Sequence, residues 1–532
     1  MIAKILVSVI YFAVVFYLGY KGWQTTRKAS DYMLAGRRMN PFVMAMSYGA
    51  TFISTSAIIG FGGAAGLFGF SLLWLTVANV FIGIFLAMTV FGYRTRRMGL
   101  CLNCHTFPEL LGRRYQSSFI QGFSGLVIFL FIPVYAAAVL IGISRMLEVT
   151  LNVPYDLALI GMTAILALYV VTGGLKAVMY TDAFQGAIMM VMMIVLLWYT
   201  YSALGGVTNA HQMLTDMAAM MPEKLQKGGM IGWTQGAKFG SPLWLVIYTT
   251  IIYGVGIGVL AQPQLAVRFM TVKSDKQLNR AVLFGGIFIP LMTGVAFIVG
   301  ALSNAVFVSR GGKIAIAEAG GNIDKIIPTY IDQIMPDWFA GLFLLAMFAA
   351  AMSTLSSQYH VGGTSLGRDV YEKGLVKRSS DSAKASQIGV TITILATLVW
   401  AWVLPESVIA RATAFFFGLC AASFLPIYAL GLYWKGMTKI AAKVSMLGGF
   451  IGSMLWLLFV HEKEAAALGL CDLFFGQPTL VSAASKGSWV WLLQWVDPNV
   501  VALPVSFVLA VVVSLMTQPM RQEHLEQCWA NF

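Results

Sequence analysis

The sequence predicts an all-α integral membrane protein of about 13 transmembrane helices, arranged as a 5+5 inverted repeat with broken helices. Three observations lead there. The 532-residue chain is 58% hydrophobic and only 11% charged, with a mean hydropathy of +0.78, whereas soluble domains carry about 25% charged residues. Its apolar runs are about 20 residues long, which suits helices crossing a bilayer rather than barrel strands with alternating faces. Two of the runs, five spans apart, are interrupted by glycine and proline. An odd offset reverses direction across the membrane, which is the mark of inverted repeats with a site near the midplane.

The first run extends from Met1 to Tyr20 without a small-x-small cleavage site, so it reads as a spanning helix rather than a signal peptide. Residues 1–40 are read as this extra span with the first cytoplasmic connection. Residues 41–205 hold the first repeat (spans 2–6), 206–435 the second (spans 7–11), and 436–532 the last two spans. Span 2 contains Ser47-Tyr48-Gly49-Ala50-Thr51-Phe52-Ile53-Ser54-Thr55-Ser56, followed by Gly60, Gly62, Gly63 and Gly66. Span 7 contains Gly254, Gly256 and Gly258 before Gln262-Pro263-Gln264. Glycine weakens a helix interior and proline removes a hydrogen bond. Backbone freed in this way is tolerated within a membrane only where protein covers it or it lines a cavity. Close packing of small residues is the alternative reading of both spans. In the outer segment 461–497, Trp489, Trp491 and Trp495 read as an interfacial aromatic belt.

The net charge of +13 would suit a nucleic-acid partner, but its distribution excludes that reading. Most Lys and Arg residues fall into alternate connections, among them Arg27, Lys28, Arg37 and Arg38, then Arg94, Arg96, Arg97, Arg113 and Arg114, and later Lys377 and Arg378. This bias places the N-terminus outside and the C-terminus in the cytoplasm of a multi-pass protein of the cell membrane. The expected partners are the lipid bilayer and a small-molecule substrate, with no nucleic acid. Five scattered cysteines make no disulfide framework. Cys101-Leu102-Asn103-Cys104-His105 has haem-attachment spacing, but it lies on the cytoplasmic side and is read as ordinary reduced cysteines.

Span 9 carries Ala350, Ser353, Thr354 and Ser357 on one helical face, with Ser356 flanking it. A hydroxyl buried in hydrocarbon costs a few kcal/mol unless it is satisfied. These hydroxyls either bond back to their own helix carbonyls or present oxygens to a hard cation. Asp182 falls about one turn into span 6, where an ionisable group is a functional candidate; as a helix N-terminal carboxylate it would instead answer the macrodipole. His360 follows the hydroxyl face by one turn and is expected to bond a carbonyl. Arg145 and Arg411 are expected to snorkel at outer span ends. The sequence has no phosphate-binding Gly-rich loop with lysine, nucleophile elbow or metal-ligand cluster. An enzyme, a nucleotide-driven pump and an organic cofactor are therefore not expected, and transport would use an ion gradient.

These features resemble the sodium:solute symporter family over nearly the whole chain. The marks are Asp31-Tyr32-Met33-Leu34-Ala35-Gly36-Arg37, Thr106-Phe107-Pro108-Glu109-Leu110 with Arg114-Tyr115, and Tyr169-Val-Val-Thr-Gly173-Gly174-Leu-Lys-Ala177 running into Thr181-Asp182-Ala183-Phe184-Gln185. Gln262-Pro263 with Arg268-Phe269, and Ser353-Thr354 with Asp369-Val370-Tyr371, complete the set. The resemblance implies a leucine-transporter-like fold and uptake of a solute with one or two Na⁺ by alternating access. It implies a first Na⁺ site of Ala50, Ile53, Ala350, Ser353 and Thr354. A second site, like that of the family's sialic acid transporters, would use Asp182, Ser353, Ser356 and Ser357.

Phe52, Ser54, Thr55, Val255, Val259 and Gln262 are the expected substrate-facing positions. Proline transporters of the family carry aspartate where this chain has Phe52, and aromatics where it has Val255 and Val259. The departure speaks against proline, and a small organic acid of monocarboxylate or pantothenate type is the expected solute. The rivals are a Na⁺-coupled amino-acid or sugar symporter, a proton-coupled carrier using Asp182 or His360, and a membrane solute sensor.

Overall fold

The computed structural model describes residues 2–25, 29–37, 39–376 and 384–530. Arg27, Lys28, Arg38, Lys377 and Arg378, counted in the charge bias, lie outside the described residues. So do the side chains of Tyr169 and of residues 171–174, part of the family-like motif.

Helix α1 (Ile2–Thr25) precedes the first broken span. Helix α2 (Pro41–Phe52) starts on a local cap: Asn40 accepts the Phe42 N–H at 2.8 Å, and Pro41 sits in the first turn, where its missing N–H costs nothing. It stops at Ile53, which is extended (φ −91, ψ 98) and gives its N–H to Gly49 at 2.8 Å. After this break a wide turn (Ser56–Gly60) leads into α3 (Phe61–Phe68). A long span then reaches the connection that holds α4 (Phe107–Arg114). Helices α5 (Ser118–Leu151) and α6 (Tyr155–Ala203) follow.

A straight helix as long as α6 would separate its ends by about 70 Å, yet both ends meet one segment of chain. Glu148, paired with Arg145 beneath Tyr155, also binds Lys325 at 3.1 Å, while Thr200 bonds the Tyr330 hydroxyl at 2.9 Å. The stretch therefore runs away from that face and returns to it. Its two apolar parts are Tyr155–Leu168 and Leu175–Ala203.

The second broken span, Pro242–Ala261, ends at Gln262 (φ −71, ψ 116), and Pro263 opens α7 (Pro263–Phe269). Proline disfavours a helical residue before it and has no N–H to continue the ladder, so the break follows from the dipeptide. Then come α8 (Asp275–Ser309), the almost wholly buried α9 (Asp337–Thr364), α10 (Lys384–Val403), α11 (Ile409–Tyr433), α12 (Lys439–Phe459), α13 (Asn499–Met516) and the short α14 (Gln522–Cys528).

Ten helices among the described residues are long and apolar enough to cross a membrane. That is fewer than the expected 13: Val9–Lys21 and Tyr155–Leu168 are shorter apolar helices, and the second half of the first broken span runs on into the span Ser56–Cys101.

The alternate connections gather on one basic face. Arg37 donates to Cys104 O, Arg96 and Arg97 grip Asp275, and Arg368 reaches Glu109. Burial pushes the Glu109 carboxyl up, but His105, Arg368 and Arg113 outweigh it and hold it well below the usual carboxylate range. His105 in the CxxCH stretch is thus a partner of Glu109, and among the described residues neither Cys101 nor Cys104 forms a disulfide.

The first broken span is locked to α8 by backbone approach. A Cβ added at Gly300 of α8 would lie 2.0 Å from Gly62 O in α3. Both atoms are held by helices, so neither yields cheaply. Gly300→Ala is expected to cost about 1–3 kcal/mol, read as a lowered Tm of the purified protein; an unchanged Tm would contradict this packing.

Candidate functional site

The break after Phe52 deprives the last turn of α2 of the N–H groups that would continue the ladder. Hydroxyls of α9 approach these carbonyls. Ser353 Oγ donates to Ala50 O at 2.9 Å and stands 3.3 Å from Ala350 O. Thr354 Oγ1 lies 3.2 Å from Thr51 O and 3.4 Å from Ala50 O. Four of the five expected first-site positions, Ala50, Ala350, Ser353 and Thr354, thus place oxygens within hydrogen-bond reach of one another. Ile53 is the residue at which the helix stops, fully buried. The arrangement offers uncharged oxygens from two helices, the donor set that suits a small hard cation.

One turn further along α9 the second expected set diverges. Ser356 and Ser357 give their protons back to Ser353 O at 3.1 and 2.9 Å. Asp182 is fully buried, and its Oδ2 accepts from Ser47 Oγ at 2.6 Å and from Arg268 Nη2 at 3.1 Å. Its Oδ1 has no partner among the described residues. Arg268 is the organiser here: Nη2 also reaches Ser357 Oγ (2.6 Å) and Thr51 Oγ1 (2.5 Å), while Nε donates to Ser47 (3.0 Å). The structure brings Asp182 and Ser357 together through Arg268 and Thr51. Ser353 and Ser356 join them through the α9 backbone.

The sequence reading used Arg268 only as a family mark and gave it no site role. By sequence it stands with Lys273, Lys276 and Arg280, so the charge bias counts it in a cytoplasmic connection. The available signal was its position five residues beyond Pro263, on a half-helix within the membrane, where a charge calls for a partner.

A small pocket lies beside the first break. Phe52, Ser54 and Val255, all expected to face substrate, line it with Phe61, Phe297 and Phe417. Its polar groups include Asn79, Tyr135, Thr293 and Thr413, none anticipated from sequence, and among the described residues no charged side chain lines it. Thr293 and Thr413 bond back to Ile289 O and Ile409 O, whereas Asn79 Oδ1 is buried without a partner among the described residues.

Three other expected positions lie outside this lining. Thr55 gives its hydroxyl to Val139 O at 2.6 Å, Val259 is buried next to Gly83, and Gln262 bonds Gly258 O and Gln264. His360 bonds Tyr32 O at 2.9 Å, as its carbonyl-bonding reading expected. Arg145 pairs with Glu148 and Glu406, and Arg411 with Glu464 at 4.0 Å.

Comparison with known proteins fits this geometry. The family model "Sodium:solute symporter family" matches residues 32–449. A sodium/pantothenate symporter of Haemophilus influenzae is 29% identical over 431 residues, covering 80% of this chain and 84% of the relative. The sodium/proline symporter 2 of Staphylococcus saprophyticus is 28% identical over 466 residues, covering 85% of each. Among solved structures, a Na⁺-coupled sialic acid symporter in a substrate-bound outward-open state superposes with a TM-score of 0.71 at 17% identity, covering 98% of this chain and 99% of that one. That likeness is one of fold.

Proposed function

The chain belongs to the sodium:solute symporter family, and from that premise we propose that it carries a small organic acid of the pantothenate type into the cell with one or two Na⁺. It is a multi-pass membrane protein and a Na⁺-coupled solute symporter. The ion number, the solute and the roles of individual residues are our reading.

The observation that carries it is the meeting of Ser353 and Thr354 with the carbonyls of Ala50 and Thr51 at the break. We assign the first Na⁺ to Ala50, Ile53, Ala350, Ser353 and Thr354. Rotating the two hydroxyl protons away turns their lone pairs toward an ion without moving the backbone. A cation there ties α2 to α9, so it favours whichever conformation keeps those helices together.

The neighbouring cavity supports an anionic solute. Among the described residues no carboxylate lines it to receive an amine, which disfavours an amino acid. The chain segment that opens at Ser56 and continues as α3 starts at this cavity, and a helix N-terminus favours negative charge. A carboxylate placed there lies between that terminus and the proposed Na⁺, while the phenylalanine walls take the carbon skeleton. Asn79 Oδ1 then calls for an N–H or O–H on the solute, and pantothenate carries both.

A second Na⁺ at Asp182, Ser353, Ser356 and Ser357 must displace Arg268 from the carboxylate, since two cations within about 4 Å repel strongly in a low dielectric. We read the Arg268–Asp182 pair as the state in which this route is shut. The basic face is taken as cytoplasmic, with the N-terminus outside and the C-terminus inside, in the plasma membrane. Spans 2–6 and 7–11 then form the repeats that rock about the site.

A thermal-shift screen of organic acids, amino acids and sugars, with and without Na⁺, tests the solute. Pantothenate is expected to raise the Tm only in Na⁺, because a ligand stabilises the state that it binds. A shift produced by proline and not by organic acids would overturn the assignment.

A further inference from the structure

A wide groove opens on the basic face, and none of its lining residues belongs to the ion or solute sites. Three separate pieces of chain wall it: the corner where α4 turns into α5, the helical run that carries α9 on to Leu375, and α14. Arg113 comes from the first, Lys373 from the second and His524 from the third. The corner also presents the N-terminus of α5, a helix of 34 residues with Ser117 as its N-cap. Ser117 Oγ accepts the Ile120 N–H at 3.3 Å, so the N–H groups of Ser118 and Phe119 are left to point out of the helix end. The positive end of the helix dipole thus adds to two cations and an imidazole.

These groups are incompletely paired. His524 is 7% exposed, and its Nε2 is taken up by Arg114 O at 3.0 Å and Cys528 Sγ at 3.4 Å; Nδ1 of this groove-lining ring has no partner among the described residues. Lys373 forms no ion pair among the described residues. Arg113 gives one N–H to Leu102 O and one to Glu109, and keeps others to spare. Among the described residues no acid lines the groove, and the acids of the surrounding elements are engaged or turned away. Glu109 serves His105, Arg113 and Arg368, and Asp369 is fully buried behind Gln121, whose amide binds its Oδ1 at 2.7 Å. Glu372 is buried outside the lining, and Glu523 and Glu526 of α14 are exposed outside it.

We propose that this groove binds a phosphomonoester group, held by Lys373, Arg113, His524 and the first N–H groups of α5. A phosphate has three terminal oxygens, enough to meet a helix end and two cations together, whereas a carboxylate has two. A phosphate hydroxyl also suits His524 Nδ1, whose neighbour Nε2 already gives its proton to Arg114 O. The bound group ties the far end of the α9 run to α5 and α14, so it stabilises the arrangement in which the three lie together. Because α9 carries Ser353 and Thr354, the groove is placed to report a phosphorylated ligand on the basic face to the ion site. That ligand is either a soluble ester or the headgroup of a lipid. The proposal does not rest on the solute assignment.

The test uses the full-length protein in phosphatidylcholine nanodiscs, titrated calorimetrically with inorganic phosphate and, separately, with glycerol 3-phosphate. Wild type is expected to bind one molecule per chain and to gain Tm on binding. Lys373→Gln removes a cation, and Ser118→Glu sets a carboxylate where the phosphate would sit; each should raise Kd by about tenfold or more. The two positions are at least partly exposed and lie on separate elements, so both variants should keep the wild-type Tm without phosphate. A second arm adds phosphatidic acid to the nanodiscs and measures the lipid retained on the purified protein. Soluble binding weakened by both variants identifies a free ester as the source, and lipid retained by wild type but lost from both variants identifies a headgroup. Phosphate binding and lipid retention that neither variant changes, or the absence of both in wild type, overturns the site and leaves the transport reading intact.

Discussion

Arg268→Ala is expected to be the most damaging single substitution in this protein. It leaves Asp182 as an uncompensated carboxylate in a fully buried place, with the guanidinium's bonds to Ser47, Thr51 and Ser357 also gone. Removing one partner of a buried pair costs about 3–5 kcal/mol, mostly from the charge that remains. The expected readout is a large fall in Tm and in the yield of monodisperse protein. Adding Asp182→Asn should recover most of the loss, because it removes the orphaned charge. Uptake should stay low in the double variant if the pair also gates ion exit. An Arg268→Ala protein with wild-type Tm would show that the pair is not what the geometry says.

Ser353→Ala is expected to have the second-largest effect, and of a different kind. Its hydroxyl is the one group shared by both proposed ion sites, and it lies 2.9 Å from Ala50 O. Losing one neutral hydrogen bond costs only about 0.5–1.5 kcal/mol of stability, so the fold should survive. The ion loses a ligand that no neighbour replaces, since Ser356 and Ser357 face Ser353 O instead. The Na⁺ concentration for half-maximal uptake should rise by about tenfold or more, a loss of about 1.4 kcal/mol or more in ion affinity. Asp182→Asn should shift Na⁺ dependence less, since it touches one site only.

The architecture was legible because a membrane imposes simple rules. The Gln262-Pro263 dipeptide announces its own break, and Gly49–Ser56 declares the other by clustering glycine, serine and threonine where an unbroken helix would be apolar. The hydroxyl face of α9 was legible as a periodicity. What sequence did not disclose is which groups meet across helices. Asn79 and Tyr135 look like ordinary residues of apolar spans until folding aims them at one cavity. Arg268 was obscured by the charge statistics that identify connections, since a buried arginine and a loop arginine read alike. Thr55 and Gln262 stand next to the breaks, but at a kink neighbouring side chains point apart, so proximity in sequence did not bring them into the cavity lining.

Pantothenate accumulation in proteoliposomes under an imposed Na⁺ gradient, with no pH gradient, tests coupling at the α2–α9 junction most directly. Uphill accumulation should appear with Na⁺ outside, vanish when choline replaces it, and require about tenfold more Na⁺ in Ser353→Ala. Accumulation driven by a pH gradient in the absence of Na⁺, or equal Na⁺ activation in wild type and Ser353→Ala, would contradict it.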